Sequence, residues 1–144
     1  MKKYNIGLIA GSFDLIHPGY IWMFRDAKDI CNKLIIALQG DPTIDRPNKC
    51  KPIQSLNDRA EILSSIKYID QIVTYNTEAE LLALLQVTNF DVRILGSDYV
   101  GKTYTGDNLN KPAHFHTREH NYSLTDLKEK IYEERKSYKD KNAR

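Results

Sequence analysis

The chain has 144 residues, 41% hydrophobic and 28% charged, a length that argues for one domain around one core. Its 21 basic and 19 acidic residues leave a formal charge of +2, too balanced for neutralising a long polyanion, so nucleic acid is not an expected partner while a small phosphorylated ligand is allowed. No stretch approaches the ~20 apolar residues of a membrane span, and Met1-Lys2-Lys3 leads straight into a strand-like run without a signal-peptide core, so a cytoplasmic location is expected.

Residues 5–10 form a short apolar run closed by Gly11, the pattern of a strand buried on both faces. A polar turn follows, then Pro18, which suits the first turn of a helix because its missing N–H needs no partner there. Tyr20, Met23, Phe24, Ala27, Ile30 and Cys31 then recur at steps of three and four, which predicts a helix ending near Asn32. Residues 34–38 are a second continuous apolar run, and two buried strands joined by a helix predict a right-handed βαβ unit.

Residues 41–52 read as a loop holding Pro42, Pro47 and Pro52 with the basic Arg46, Lys49 and Lys51. Ser55 opens a helix that carries Ala60, Ile62, Leu63, Ile66 and Ile69, and residues 71–75 are a third strand. Thr77 caps the next helix, whose first turn is acidic. Residues 92–96 are a fourth strand and residues 113–117 a fifth. A last helix starts at Ser123, carries Leu124, Leu127 and Ile131, and gives way to a charged tail over residues 132–144. The alternation predicts an α/β fold, a Rossmann-like three-layer α/β/α sandwich with a mostly parallel five-stranded sheet, as a single domain over residues 1–131. Cys31 reads as a small core residue and Cys50 as a loop thiol, with neither a disulfide nor a zinc site between them.

Ligands of such folds bind outside the carboxyl ends of the strands, which directs attention to the segments that follow them. The first, Gly11-Ser12-Phe13-Asp14-Leu15-Ile16-His17-Pro18-Gly19-Tyr20, carries the most information. His17 stands at the mouth of a helix, where free N–H groups and the positive dipole end favour phosphate, and Gly19 leaves the backbone bare for an anion to approach. An imidazole there donates to phosphate oxygens as charge grows during phosphoryl or nucleotidyl transfer. Tyr20 follows three residues later, about one helical turn, so its hydroxyl faces the same anion. A lone His-Pro-Gly turn says no more than a helix cap. The weight comes from its place between a buried strand and an amphipathic helix.

These residues resemble the signature of the small cytidylyltransferases of the HxGH nucleotidyltransferase superfamily, typified by glycerol-3-phosphate cytidylyltransferase, whose first loop reads Gly-[Thr/Ser]-Phe-Asp-x-x-His-x-Gly-His. The likeness spans about residues 5–131. Lys49 to Lys51, Asp58-Arg59 and Ile66-Lys67-Tyr68-Ile69-Asp70 are similar to that family's basic loop and following helix, and Leu95-Gly96-Ser97-Asp98-Tyr99 to its Gly-x-Asp-[Trp/Tyr] segment. Arg118-Glu119-His120-Asn121-Tyr122-Ser123-Leu124-Thr125 aligns with its Arg-Thr-x-Gly-x-Ser-Thr-Thr motif.

The resemblance implies transfer of CMP from CTP to a phosphorylated small-molecule acceptor, with pyrophosphate released, Mg2+ carried on the triphosphate, and a homodimer. No side chain is the nucleophile in that family, so the protein's work is placement and charge stabilisation. By carry-over, His17, Tyr20, Arg118 and Lys49 are the catalytic set. Gly11, Ser12, Phe13, Gly19, Gly96, Asp98, Ser123 and Thr125, with His17 and Arg118, hold the nucleotide. Asp14, Lys51 and Arg59 face the acceptor.

Three departures stand out. The family's second histidine is Tyr20, which keeps a donor of similar reach but not a cation near neutral pH; a motif Gly is Asn121, and one of the paired Thr residues is Leu124. They keep two other readings open: adenylyl transfer to a sugar phosphate, and a nucleotide-binding module with little turnover. His114 and His116 share a strand face with no third ligand assured, so no metal site is expected there, while His120 offers a cationic donor near the eroded motif. Trp22, among core-facing positions, is expected to pack or to meet a second copy rather than a ligand.

Overall fold

A computed structural model describes residues 2–117 and 119–143. Five strands, β1 (Tyr4–Gly11), β2 (Cys31–Gln39), β3 (Gln71–Tyr75), β4 (Val92–Gly96) and β5 (Ala113–His116), form one sheet in the order β3-β2-β1-β4-β5, every pair parallel. Four helices connect or follow them: α1 (Pro18–Ile30), α2 (Leu56–Ser64), α3 (Glu78–Val87) and α4 (Leu124–Asn142). The expected α/β layering is therefore present.

Two apolar layers sandwich the sheet. On one face Phe24 and Ala27 of α1 and Leu63 of α2 pack on Ile9, Leu34, Ile36, Val92 and Ile94; on the other, Leu81 and Leu85 of α3 pack on Leu8, Ile35 and Ala37. Successive strand residues alternate between these layers, and so the central strands read as continuous apolar runs. Helix starts follow local chemistry: Ser55, Thr77 and Ser123 accept from backbone N–H groups three residues on, and Thr77 with Glu80 completes a capping box.

Three boundaries differ from expectation. Helix α2 ends at Ser64, so that Ile66 and Ile69 lie past its end while still packing on the core. The first helix ends at Ile30, and Cys31, expected on its buried face, begins β2 instead, extended and paired in register with Tyr4 of β1. Its side chain is fully buried beside Gly7, where a Cβ would lie 3.0 Å from the sulfur. At the other end the expected charged tail is helix: α4 runs unbroken to Asn142, although it has no buried residue. Its Glu, Lys and Arg residues are strong helix formers, and Lys139 and Lys141 sit favourably at the negative end of the dipole. Among the described residues no helix is long and apolar enough to cross a membrane.

Candidate active site

The strand order reverses direction between β1 and β4, where the carboxyl ends diverge and leave a crevice. A cavity of about 830 Å³ occupies it, bounded by Gly11 and Ser12 at the tip of β1, Arg93 and Gly96 on β4, and Tyr75 and Glu78 at the start of α3. A second cavity of about 640 Å³ adjoins it along Ser12, Gln39 and Arg46 and holds Lys49, Thr125 and Lys128.

The loop between β1 and α1 is strained and clamped. Phe13 and Leu15 have φ of 48° and 50°, a left-handed conformation that non-glycine residues adopt at a cost of order 1–3 kcal/mol. Its ring fixes Phe13, packed 5.5 Å from Phe24 and 5.4 Å from Tyr20, with Gly11 bare beneath it because a Cβ there would lie 3.2 Å from that ring. Backbone partners hold the rest: Asp14, 1% exposed, accepts from Ile53 N at 2.7 Å and Gln54 N at 3.0 Å, and Leu15 N donates to Gln54 Oε1.

His17 caps α1, its Nδ1 accepting from Gly19 N at 3.1 Å, so a neutral ring carries its proton on Nε2. The ring stacks on Tyr20 at 4.1 Å and on Tyr122 at 5.7 Å. Tyr20, standing where the family has histidine, thus lies in an aromatic stack and lines the larger cavity. A Cβ on Gly19 would lie 2.7 Å from His120 Cε1 and 2.9 Å from His17 Cε1. Gly19 was expected to stay bare for an anion, but the two imidazole rings fill the space beside it. Trp22 packs as expected, 5.2 Å from His120 and 5.6 Å from Tyr122.

Of the three residues expected on the acceptor side, Asp14 borders the smaller cavity, and Arg59 and Lys51 border neither. Arg59 is 2% exposed, and its guanidinium donates to the carbonyls of Gln54, Ser12, Gln39 and Gly40 at 2.6–3.0 Å, so it ties the loop after β1 to both ends of the loop after β2. Burial lowers its pKa from the ordinary value, against the pull of Asp14. Asp14 likewise serves the loops, with Lys128 of α4 at 3.7 Å. Lys51 lies 3.9 Å from Asp41, is 76% exposed, and lines neither cavity. Its neighbour Lys49 does line the smaller one.

Of the nucleotide-side residues, Gly11, Ser12, Phe13, Gly96 and Asp98 border the larger cavity and Thr125 the smaller, while Ser123 accepts from Asp126 N as the cap of α4. Arg118 lies outside the described residues. His114 and His116 meet Asp26 of α1 at 3.2 and 2.9 Å. Although burial opposes ionisation of Asp26, these hydrogen bonds and the imidazole charges outweigh it and lower its pKa.

Four further side chains emerge only in three dimensions. Arg46 and Lys128 bring positive charge to the cavities, and Glu78 joins Arg46 at 3.2 Å to the Thr105 hydroxyl at 2.7 Å, fastening the loop after β2 to the loop after β4. Arg93, midway along β4, reads in sequence as one polar residue in a buried strand. A charged residue inside an otherwise apolar strand was the signal available to find it.

Residues 8–139 match the model of the cytidylyltransferase-like family. The bifunctional protein HldE of Helicobacter pylori (strain HPAG1) is 34% identical over 131 residues, covering 90% of this chain and 28% of that protein. HldE of Paramagnetospirillum magneticum is 33% identical over 111 residues, covering 75% and 22%. The chain thus spans about a quarter of the length of these relatives. The crystal structure of a lipopolysaccharide core biosynthesis protein from Thermoplasma volcanium superposes with a TM-score of 0.62 at 21% identity, over 83% of this chain and 99% of that one, and shares the fold.

Proposed function

This chain belongs to the cytidylyltransferase-like family of nucleotidyltransferases, and on that premise we propose that it transfers a nucleotidyl group, CMP from CTP in the first reading, to the phosphate of a small hydroxylated acceptor. The observation that carries the proposal is the cavity at the β1/β4 switch point, bordered by the loop residues Gly11, Ser12 and Phe13 with Tyr20 of α1, and by Arg46 and Arg93. An acceptor phosphate oxygen attacks the α-phosphorus, a new P–O bond forms as the bond to the β-phosphate breaks, and pyrophosphate leaves.

The chain's part is to hold the two anions in line and to meet the charge that develops between them. In this reading His17 and the loop that carries Ser12 and Phe13 meet the triphosphate, and Lys49, Thr125 and Lys128 line the adjoining cavity for its leaving part. Arg59 and Asp14 act at one remove, by fixing the loops that carry Ser12 and Gln39. A Mg2+ would come bound to the triphosphate, and Asp98, which borders the cavity, would be the carboxylate to meet its water shell. When bound, that ion neutralises phosphate charge.

A second reading, adenylyl transfer to a sugar phosphate, is favoured by the relatives compared above, which are HldE proteins and not glycerol-3-phosphate cytidylyltransferases. Pyrophosphate release measured with CTP and with ATP, against glycerol 3-phosphate, ethanolamine phosphate and hexose phosphates, separates the two. Turnover with CTP is expected. Release with ATP alone moves the assignment to the second reading, and nucleotide binding by calorimetry without release from any pair makes the chain a binding module.

A further inference from the structure

Arg93 is charged, central in the sheet, and poorly compensated. It is 6% exposed, and its neighbours Val92 and Ile94 belong to the α1 layer, so strand alternation sends its side chain to the α3 layer. There Nη1 donates to Thr105 O at 2.7 Å, the Tyr104 ring lies 5.4 Å from Cζ, and Nε is buried without an acceptor. Among the described residues no carboxylate comes within 4.0 Å of its guanidinium. The nearby acids are already engaged: Glu78 with Arg46 and Thr105, and Asp107 with Tyr104 N. Burial lowers the Arg93 pKa, and the surrounding Tyr75, Tyr104 and Glu78 counter it only in part.

A guanidinium taken out of water with a single hydrogen bond is costly, and such a residue persists where an anion completes it. Arg93 lines the larger cavity, which makes a ligand the available source of that anion. Its level in the fold says which end of the ligand. Arg93 pairs in register with Leu8, three residues before Gly11, and so sits about 10 Å down the strand direction from the first loop at ~3.3 Å per residue. The reacting phosphate belongs at the strand tips, beside the α-phosphorus. Arg93 is a layer deeper, on the α3 side.

We propose that the acceptor occupies the deeper, α3-side part of the cavity, that Arg93 is its specificity residue, and that the acceptor carries, at the end opposite its reacting phosphate, a second oxyanion, a carboxylate or another phosphate, that pairs with the Arg93 guanidinium. This rests on the nucleotidyl-transfer reading and narrows it from hydroxylated phosphates in general to acidic ones. Arginine suits the task because its planar fork takes two oxygens of one oxyanion at once. The hydroxyls of Tyr75, Tyr99 and Thr103, on the same cavity, remain for the polar body of the acceptor.

The test compares matched pairs of acceptors that differ only at the far end: glycerol 3-phosphate against 3-phosphoglycerate, and glucose 1-phosphate against glucuronate 1-phosphate and glucose 1,6-bisphosphate. The wild-type chain is expected to favour the acidic member by tenfold or more in kcat/KM, chiefly through KM. The carboxylate and bisphosphate arms tell the two oxyanions apart. In Arg93→Met, which keeps the side-chain volume, that preference is expected to collapse towards unity, and Arg93→Lys is expected to restore part of it. A wild type that prefers the neutral member, or a preference that survives in a folded Arg93→Met, overturns the proposal. Should no pair release pyrophosphate, the nucleotidyl-transfer reading fails separately, and a thermal-shift titration with the same phosphates still decides: stabilisation by the acidic members must appear in wild type and vanish in Arg93→Met.

Discussion

Two buried arginines face opposite requirements in this molecule. Arg59, beneath the loops on the α2 side, gives four hydrogen bonds to main-chain carbonyls, whereas Arg93, on the floor of the larger cavity, gives one. They are similarly hidden from solvent, at 2% and 6% exposure. Burial alone therefore does not separate a structural charge from a ligand-binding one; the number of partners already supplied by the fold does. Where the chain meets the charge itself, the residue holds loops together, and where it does not, the residue waits for a substrate.

The contrast breaks most directly at Arg59. Replacing it with Met strips four carbonyls of their donor and loosens the loops that carry Ser12, Gln39 and Gln54, with an expected loss of about 3–5 kcal/mol in urea denaturation. A loss below 1 kcal/mol would place Arg59 in the same class as Arg93. His17 is the intermediate case, since its ring serves both the fold and the chemistry. His17→Ala is expected to lower kcat by about 10²–10³ while removing a helix cap that contributes about 1 kcal/mol of stability. Steady-state rates and melting curves on one preparation separate the two effects.

Arg93→Met is the counterpart of the first experiment. Its stability is expected to change by less than about 1 kcal/mol, or to rise, because an apolar chain of like volume replaces a charge without a carboxylate partner. A loss as large as that for Arg59 shows instead that the fold depends on both. The smallest effect concerns Asp26, the carboxylate shared by His114 and His116. Its folded pKa is lowered beneath the ordinary value of 3.8, so it contributes stability above that value and loses it as pH falls through the lower, folded one. At neutral pH the melting difference between wild type and Asp26→Asn is expected to correspond to under about 1 kcal/mol for this partly exposed group, and it should close in acid.

Much of the fold was legible residue by residue. Apolar runs placed β1, β2 and β4, and Ser55, Thr77 and Ser123 marked helix starts by side-chain chemistry that acts over three residues. The family's motifs led to a loop beside a cavity, which Ser12, Tyr20, Gly96 and Asp98 border together. A motif names a residue without saying how many of its hydrogen bonds the fold consumes: Arg59 spends its guanidinium on main-chain carbonyls, and Asp14 accepts from two backbone N–H groups while bordering the smaller cavity. The tail was misread for a related reason: periodicity of burial marks packed helices, and α4 buries nothing, so only its propensity spoke for it.

By itself the sequence determined what is local: the alternation of strand and helix, the side-chain caps, and the helix start at His17. Tertiary structure alone decided the pairing of charges far apart along the chain, Asp14 with Lys128, Glu78 with Arg46, Arg59 with the loop carbonyls, and left Arg93, among the described residues, with one carbonyl and no carboxylate. Helix and strand preferences are set within a few residues of chain, whereas the cost of a buried charge depends on whatever the completed fold brings within hydrogen-bond reach of it.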